Sequence, residues 1–458
     1  MAPNTFAASY EVSDPIMMQA LLSTGGELKM MRDITLSSAV DINNDTVLDL
    51  NGNTLDLGNN ALTSYSNFIV KDTSANKDGK ITSTASFTIY AGYGTANPGN
   101  LTLESGTIEA KGNYGIRNFG LLTINGGLIT GKAFVIYNDT NSRMVMNGGK
   151  IISSTGLTVQ LQKNASLEMN GGQLEVLSDD PAINISKPGA TAVINGGTIT
   201  ATADLEGAGI TIFKDGTLTV NGGTITSSDV VIAANGSDSG GNDGRNAKVT
   251  VNGGTLTSLT TTALYLPSVD GENLITGGTI TGTTGIEVRN GKLTITGGTI
   301  NGAMDTFTST ANHSGTTSYG AAVVVAQHTV ARPIIVRITG GNFSGYRPVA
   351  ITNPQGHDDT SLVDVDLNIG CSSWRGVIFD DAIDNLGEGS DYLEDGNTLA
   401  VYNDSCQLPA PLAPDTGAVT KETSAIATLN KTALMFAKVI AILGFVMFVA
   451  IRRSQKRQ

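Results

Sequence analysis

The residues of this chain that could carry acid–base chemistry on a substrate are few. Only three histidines are present, and one of them stands in the cluster Gly356-His357-Asp358-Asp359. Paired carboxylates can act as general acid and base on a glycosidic bond when roughly 5–10 Å separates them across a cleft. The other acid pairs, Asp179-Asp180 and Asp380-Asp381, are expected in turns. Because each pair is contiguous in one loop, we expect no catalysis, and His357, Asp358 and Asp359 remain the candidates if there is any.

A stretch rich in glycine and aspartate is the candidate metal site. Residues 240–244, Gly-Gly-Asn-Asp-Gly, resemble part of the calcium-binding Gly/Asp nonapeptide of secreted toxins. A single copy cannot complete the ligand set that stacked copies provide. We therefore predict a flexible loop and no cofactor, with calcium binding by Asp238, Asn242 and Asp243 as the alternative.

The phrase Asn-Gly-Gly or Thr-Gly-Gly recurs through most of the chain and sets its organisation. The first glycines of these phrases are residues 126, 148, 171, 196, 222, 253, 277, 297 and 340. The intervals lie between 20 and 31 residues until the last, which is 43. A period that stretches and contracts indicates repeating structural units with loops of variable length. The last interval is expected to hold two units, the second without its Gly-Gly.

Within each unit, short alternating apolar and polar runs are separated by turn residues, as in Thr284–Ile300. Such runs predict short strands with one buried face, and no helical pattern separates them. The fold class is therefore all-β, a single parallel β-helix with three short strands per coil. Roughly 13 coils at the strand spacing predict a rod about 60 Å long.

The stacking of coils explains individual residue types. Leu293 and Ile295, and their equivalents Leu122/Ile124, Leu218/Val220 and Val249/Val251, are predicted to point inwards. Threonines at 123, 219, 250 and 294 suit an exposed pleated surface. The Gly pair is expected at a corner where a side chain would clash or φ would be unfavourable. The preceding Asn or Thr is expected to bond its counterpart one coil away, as a ladder.

The N-terminal segment, residues 1–25, is predicted to close the end of the rod. Ser13-Asp14-Pro15 favours an N-cap followed by proline at the first helical position. The following Ile16–Leu22 is expected to be a capping helix, because an open solenoid end exposes strand edges and core; a helix without a capping role is the alternative. Residues 1–10 show no secretory leader. We nevertheless expect a secreted mature form, with a leader removed or the start misassigned.

Residues 25–28, Gly-Gly-Glu-Leu, residues 33–36, Asp-Ile-Thr-Leu, and residues 48–55, Leu-Asp-Leu-Asn-Gly-Asn-Thr-Leu, follow this helix. This opening resembles that of right-handed β-helix proteins of the pectate-lyase-like superfamily, and the Asn-Gly-Gly-Thr-Ile-Thr units are similar to those of bacterial cell-surface members. The resemblance covers about residues 13–400 and implies a right-handed coil. It implies little about chemistry, because the superfamily includes lyases, hydrolases, adhesins and tailspikes. Its pectin hydrolases carry their Asp pairs and Gly-His element on separate neighbouring coils, unlike residues 356–359 here.

Residues 370–406 are predicted to form a C-terminal cap. Residues 389–396 resemble a Ser-Asp-Tyr-Leu phrase that often closes such surface repeats. Cys371 and Cys406 are the only cysteines and both lie in this region. Outside the cell they could close a 36-residue loop, which is worth roughly 3–4 kcal/mol in the chain-entropy model. Two unpaired thiols are the alternative.

A membrane anchor is predicted at the C-terminus. Residues 407–432 form a proline-containing linker, Ala433 to Ile451 is an apolar segment long enough to span a bilayer, and residues 452–458 are a basic tail. The positive-inside rule places this tail in the cytoplasm and the rod outside. The alternative, a buried soluble helix, is disfavoured because the segment has no amphipathic face.

Pro414-Asp415-Thr416-Gly417 precedes this segment and resembles the sorting signal of Gram-positive surface proteins. The resemblance implies that a sortase transpeptidase cuts between Thr416 and Gly417 and attaches Thr416 to the envelope. Ala413 stands where leucine is usual, and the stretch before the apolar segment is long. Simple retention of the transmembrane helix is therefore the alternative.

The net charge of the chain limits the classes of partner that it is expected to bind. The chain carries 28 basic and 41 acidic residues, and residues 1–430 carry 22 and 41, or −19. An acidic rod argues against nucleic acids and anionic lipids as partners, and leaves cations or neutral glycans.

The predicted function is a surface-anchored adhesin or structural protein that binds glycan or a partner protein along its long face. The alternatives are a polysaccharide lyase or hydrolase, and ice binding by paired threonines on successive coils, at residues 198/200, 224/226, 255/257 and 279/281. The predicted segments are the N-terminal segment with the capping helix (1–25), the β-helix (26–369), the C-terminal cap (370–406), the linker (407–432), the transmembrane helix (433–451) and the basic tail (452–458).

Overall fold

The computed structural model describes residues 9–93, 99–202, 207–234, 245–311, 315–327, 333–356 and 365–406. All of them belong to one compact unit, Met1–Gln407. The first elements are β1 (Ser9–Val12), α1 (Pro15–Thr24), β2 (Gly26–Met30), β3 (Ile34–Thr35), β4 (Val40–Ile42), β5 (Thr46–Asp49), β6 (Thr54–Asp56), β7 (Leu62–Ser64), β8 (Phe68–Lys71), β9 (Lys80–Ser83), β10 (Phe87–Ala91), β11 (Asn100–Leu103), β12 (Thr107–Ala110), β13 (Tyr114–Asn118), β14 (Leu121–Ile124), β15 (Leu128–Gly131), β16 (Ile136–Asn138), β17 (Arg143–Met146), β18 (Lys150–Ser153), β19 (Val159–Leu161), β20 (Ser166–Met169), β21 (Gln173–Val176) and β22 (Ile183–Ile185).

The remaining elements are β23 (Thr191–Ile194), β24 (Thr198–Ala201), β25 (Ile210–Ile212), β26 (Thr217–Val220), β27 (Thr224–Ser227), β28 (Ile232–Ala234), β29 (Lys248–Val251), β30 (Thr255–Ser258), β31 (Thr262–Leu266), β32 (Glu272–Ile275), β33 (Thr279–Thr281), β34 (Thr284–Val288), β35 (Lys292–Asn301), β36 (Thr308–Ser309), β37 (Ser318–Tyr319), β38 (Ala321–Ala326), β39 (Ile334–Ser344), β40 (Val349–Thr352), β41 (Val365–Ile369), β42 (Ser372–Arg375), α2 (Asp380–Ile383), β43 (Asp391–Asp395) and β44 (Thr398–Tyr402).

Each strand from β2 to β31 pairs in parallel with the strand three places further along the chain, so three strands make one coil. Face A holds the first strand of each coil, beginning with β2, and face B holds the second, beginning with β3. Face C holds the third and is a 13-stranded sheet from β4 to β40. The predicted all-β class, the parallel sheets and the three-strand repeat are confirmed. Thirteen strands on face C agree with the predicted number of coils.

The core is a set of apolar columns that run through the coils. Leu293 and Ile295 are fully buried, as are the equivalent pairs at 122/124, 218/220 and 249/251. Thr294 between them is partly exposed. These strands therefore bury alternate residues, and the inward and outward positions predicted for them are confirmed.

The Gly-Gly corners between faces A and B are too tight for larger residues. A Cβ on Gly222 would lie 2.6 Å from the backbone oxygen of Asn195 in the preceding coil. Gly223 has φ +86°, in the left-handed region that favours glycine. The residue before each pair forms the predicted ladder. In it the amide nitrogen of Asn221 donates to Asn195 Oδ1 at 2.8 Å, and Asn195 donates to Asn170 at 2.8 Å.

The ladder has a direction. It runs through asparagines 125, 147, 170, 195, 221 and 252, each donating towards the N-terminal coil. Asn125 donates to Glu104 Oε1 at 2.9 Å. At the other end, the hydroxyl of Thr276 donates to Asn252 at 2.7 Å. A carboxylate can only accept and a hydroxyl can donate, so these two residues complete the two ends of the ladder.

Helix α1 covers the N-terminal end of the core. Asp14 caps it by accepting a hydrogen bond from Met17 N at 2.9 Å, and Pro15 is its first residue. Met18 and Leu22 are fully buried against the first coil. This confirms the predicted N-terminal helix. The sequence interpretation did not include β1, which precedes the helix and pairs in parallel with β2.

The long interval between the last two Gly-Gly pairs holds one coil, so the prediction of two units is wrong. Strand β35 pairs directly with β39, with Thr296 opposite Gly340. The extra length is an insertion at residues 302–320, which contains the antiparallel pair β36–β37. An insertion of nearly one repeat length cannot be distinguished from a degenerate repeat by spacing alone.

The C-terminal end departs from the coil pattern. Strand β44 pairs antiparallel with β42, and β43 pairs antiparallel with β44. Cys371 and Cys406 form a disulfide with their Cα atoms 6.1 Å apart. Among the described residues no helix is long and apolar enough to cross a membrane. The predicted span from Ala433 to Ile451 lies outside those residues.

Candidate binding surface

The outer surface of face C carries a cluster of partly exposed aromatic side chains around one arginine. We call it the aromatic patch, and it consists of Tyr65, Phe87, Tyr90, Tyr93, Tyr114, Arg117, Phe119, Phe134 and Tyr137. It spans β7, β10, β13 and β16 and the turns next to these strands. None of its members is buried. Contiguous aromatic side chains on a protein surface often mark a site of interaction with a ligand or partner.

Strand register brings three of the rings together. Phe87 lies opposite Tyr114 in the parallel pair β10–β13, and their rings stack at 4.6 Å with an angle of 27°. Tyr114 stacks on Phe134 of the next coil at 5.5 Å and 22°. Because these rings cover one another, they form a rigid column that presents mainly its edges to solvent.

A second group of rings meets edge to face. Tyr93 lies 4.9 Å from Phe119 at 79° and 6.4 Å from Tyr65 at 71°. It also contacts Tyr90 at 6.0 Å and 68°. Tyr93 is 44% exposed. Tyr93 is therefore the most exposed ring of the patch, and the contact of Tyr90 with Phe87 at 5.3 Å connects this group to the stacked column.

Arg117 lies at the centre of the patch and its charge is neutralised there. Its Nε and Nη2 both donate to Asp139 Oδ2, at 2.9 and 2.7 Å. The guanidinium lies over the rings of Phe119 at 4.8 Å and Tyr137 at 5.5 Å. Burial raises the pKa of the Tyr137 hydroxyl, and the Asp139 carboxylate raises it further. This phenol is therefore protonated at neutral pH and can donate a hydrogen bond.

Polar residues continue the same column of face C beyond the patch. Tyr137 lies opposite Gln160, Gln160 opposite Asn184, and Asn184 opposite Thr211 in consecutive parallel pairs. Thr211 Oγ1 donates to Asn184 Oδ1 at 3.2 Å. Gln160 Nε2 donates to Ser186 Oγ at 2.5 Å, while its buried Oε1 has no hydrogen-bond partner among the described residues. The outer surface of face C thus changes from aromatic to polar along one line.

The insertion at 302–320 covers the far end of this line. Glu287 is fully buried beneath it and accepts hydrogen bonds from the backbone and hydroxyl of Thr317 and from the hydroxyl of Ser318. Arg289 Nη1 donates to Tyr265 Oη at 2.7 Å and to the carbonyl of Gly315 at 2.5 Å. These contacts close the outer surface of face C from β31 onwards.

The threonine pairs of face B point outwards, as the ice-binding alternative requires. Thr224 lies opposite Thr255, Thr226 lies opposite Thr257, and the residue between, Ile225, is fully buried. In-register pairing on successive coils arranges these threonines in two columns. One consists of residues 198, 224, 255, 279 and 299, and the other of residues 200, 226, 257 and 281. All nine are at least partly exposed. They form an uncharged grid of hydroxyl and methyl groups.

A groove with three carboxylates lies at the corner between faces C and A. It has a volume of about 350 Å³ and is lined by Asp215, Asp270 and Glu272, with Asn246 and Lys248 between them. Asp215 Oδ1 accepts a hydrogen bond from Asn246 at 2.8 Å, and Glu272 pairs with Lys248 at 3.1 Å. These two carboxylates are thus engaged by neighbouring residues.

The described residues do not include the predicted catalytic and metal candidates. His357, Asp358 and Asp359, and Asp238, Asn242 and Asp243, lie outside the described residues, as do Thr416 and Gly417 of the sorting motif. Asp179 and Asp180 are exposed in the loop after β21. No group of three or more His, Cys, Asp or Glu in the described parts of the chain is placed to hold a metal ion.

Asp380 and Asp381 begin the short helix α2 instead of lying in the predicted turn. Asp381 Oδ2 accepts a hydrogen bond from Ile351 N at 3.0 Å and pairs with Arg347 at 3.1 Å. Its carboxylate therefore attaches α2 to the last coil.

Sequence reasoning missed the aromatic patch. Residues 65–137 contain nine of the 23 phenylalanines and tyrosines in the chain, and this local concentration was the available signal. Comparison with protein-family models, with curated proteins and with solved structures finds no match to this chain.

Proposed function

We propose that this chain is a surface-anchored adhesin with a right-handed β-helical rod, and that it binds glycan at the aromatic patch. The observation that carries this proposal is the group of partly exposed rings around a neutralised arginine on face C. A right-handed coil agrees with the handedness of nearly all parallel crossover connections.

The chemistry of the patch favours a neutral sugar chain. Apolar C–H faces of pyranose rings pack on aromatic rings such as Tyr93 and Phe119, and their hydroxyls need donors and acceptors nearby. Arg117 supplies donors, Asp139 supplies acceptors, and Tyr137 supplies a hydroxyl. The two charges cancel, so the patch does not attract ions in the way an unpaired arginine would.

The anchor is supported by the sequence. Ala433 to Ile451 is long and apolar enough to span a bilayer, and the basic tail follows it. We propose that the rod faces the exterior and that the chain is retained by this helix or transferred to the wall at Thr416. Added protease should digest the rod on intact cells. Protection of the rod from protease would contradict this topology.

The binding proposal is tested on an array of neutral and acidic glycans with the full chain. Tyr93→Ala and Tyr137→Ala should each weaken binding by about tenfold or more, as expected for a central aromatic contact. Tyr392→Ala is the matched control, because this tyrosine is 38% exposed but lies on the distant β43. Equal binding by all variants, or no glycan bound by wild type, would overturn the proposal.

A reducing-end assay on acidic polysaccharides tests the enzyme alternative in parallel. The adhesin should produce no new reducing ends. Turnover that Asp358→Ala or Asp359→Ala abolishes would support a lyase or hydrolase. Turnover abolished by Glu272→Gln would place the chemistry in the groove at the corner of faces C and A.

Ice binding is a second candidate, favoured by the in-register threonine columns of face B. Neighbouring hydroxyls repeat at about 4.8 Å across coils and roughly 6.7 Å along each strand, which is close to repeats in the ice lattice. The double change Thr226→Tyr and Thr257→Tyr should then remove thermal hysteresis, while Thr250→Tyr on face A should not. Absence of hysteresis in the wild type would exclude this function.

A further inference from the structure

We propose that the glycan site is an extended track along face C, which binds a linear chain of several sugar units and not a single terminal sugar. This inference rests on the proposed function. The track begins at the aromatic patch and continues over the polar residues Gln160, Asn184 and Thr211.

The register of face C gives the track its direction. Tyr90, Arg117 and Tyr137 lie opposite one another in consecutive pairs, and Gln160, Asn184, Thr211 and Ala233 follow in the same column. Each step is one coil, about 4.8 Å, which is close to the length of one pyranose unit in an extended chain. A ligand along the coil axis would therefore meet one outward side chain per sugar.

Along the column, aromatic side chains come first and polar side chains follow, and both kinds can contact a sugar chain. Tyr90 and Tyr137 are the first and third members of the column, and Arg117 between them lies over the ring of Phe119 at 4.8 Å. Aromatic rings in or beside the column can therefore cover sugar faces in the first three coils. Asn184 and Thr211 are partly exposed, and Thr211 Oγ1 donates a hydrogen bond to Asn184 Oδ1 at 3.2 Å. Gln160 lies between these two regions and is buried. Its Oε1 has no hydrogen-bond partner among the described residues, which costs free energy until a donor reaches it.

The structure also limits the length of the track. Beyond Ala233 the column reaches Tyr265 and Glu287, which the insertion at 302–320 covers through Gly315 and Thr317. The column from Tyr90 to Ala233 covers seven coils, and among the described residues all of its members except the buried Gln160 are partly exposed. Six steps of coil spacing make roughly 30 Å. We therefore expect a site for about six or seven sugar units.

Calorimetric titration of the full chain with neutral β-1,4-linked oligosaccharides tests this inference. The probes are glucose and N-acetylglucosamine series of two to ten units. Affinity should rise by at least about tenfold from the dimer to the hexamer, the equivalent of two net hydrogen bonds, and then level off. Equal affinity for all lengths, or a continued rise to ten units, would overturn the track.

A matched pair of variants separates the track from the patch. Thr211→Trp should abolish the gain from pentamer to hexamer while leaving trimer affinity within about twofold, because Thr211 is the sixth position of the column and the larger side chain blocks it. Thr219→Trp, an outward threonine on face A, should change neither value. If Thr211→Trp has no effect on the hexamer, the track is wrong although the patch binds sugar. If the wild type binds no oligosaccharide of either series but captures a protein ligand, the glycan function and the track both fail.

Discussion

The substitution Gly222→Val tests the stacked-coil architecture at a position where the structure shows the steric clash that a side chain would make. A Cβ here would lie 2.6 Å from Asn195 O, while ordinary contacts begin near 3.4 Å, so one backbone must move by nearly an ångström. Gly222 is outside the left-handed region, so the cost is steric. The atom that must move belongs to Asn195, whose side chain is held in the ladder on both sides. We expect a loss of roughly 2 kcal/mol or more in the free energy of unfolding.

The same reasoning applies to Gly253, whose Cβ would lie 2.5 Å from Asn221 O. Thr294→Val is the control, because it is a partly exposed outward position, and it should change stability by less than about 0.5 kcal/mol. Hydrogen exchange should show loss of protection in the coils next to Gly222 before the distant ends, since stacked repeats couple to their neighbours. Equal loss of protection across the whole rod for Gly222→Val and Thr294→Val would refute this account.

Three further predictions concern the ladder, pH and the C-terminal cap. Asn195→Ala removes two ladder hydrogen bonds and should lower the free energy of unfolding by about 1–3 kcal/mol in denaturant titration; an unchanged midpoint would contradict it. Burial acts to raise the pKa of Asp72, but hydrogen bonds from Ser74, Gly79 and Gly52 outweigh it and hold that pKa below its ordinary value. Its contribution should be present above about pH 4 and lost as pH falls further, so Asp72→Asn should flatten the acid side of a stability–pH curve. Reducing the Cys371–Cys406 disulfide should cost up to about 3–4 kcal/mol, seen as a lower melting temperature with dithiothreitol; no shift would show that the cap is stable without it.

The parts of the fold that repeat were predictable from sequence. In most coils the equivalents of Leu293, Thr294 and Ile295 pair with residues of the same kind in the neighbouring coils. The local alternation of residue types therefore indicates which side chains are buried in the core. The ladder followed from the same logic, because one Asn per coil at a fixed corner must face its counterpart. Asp14 and Pro15 predicted the helix start because capping depends on a few adjacent residues.

The features that could not be predicted from the sequence depend on loop length and on the register of strand pairing. Phe87, Tyr114 and Phe134 are separated by 27 and 20 residues, and only the actual pairing shows that they stack. The insertion at 302–320 has nearly the length of one repeat, so spacing alone suggested an extra coil. The helix at Asp380 appears because the chain leaves the coil there and attaches to it through Arg347 and Ile351.

The most direct test of the central claim is a crystal structure of the protein with an oligosaccharide identified on the array. The account predicts sugar density against Tyr93, Phe119 and Tyr137, with the chain running along the coil axis towards Asn184. Sugar density over the threonine columns of face B, or near residues 357–364, with none on the aromatic patch, would contradict it.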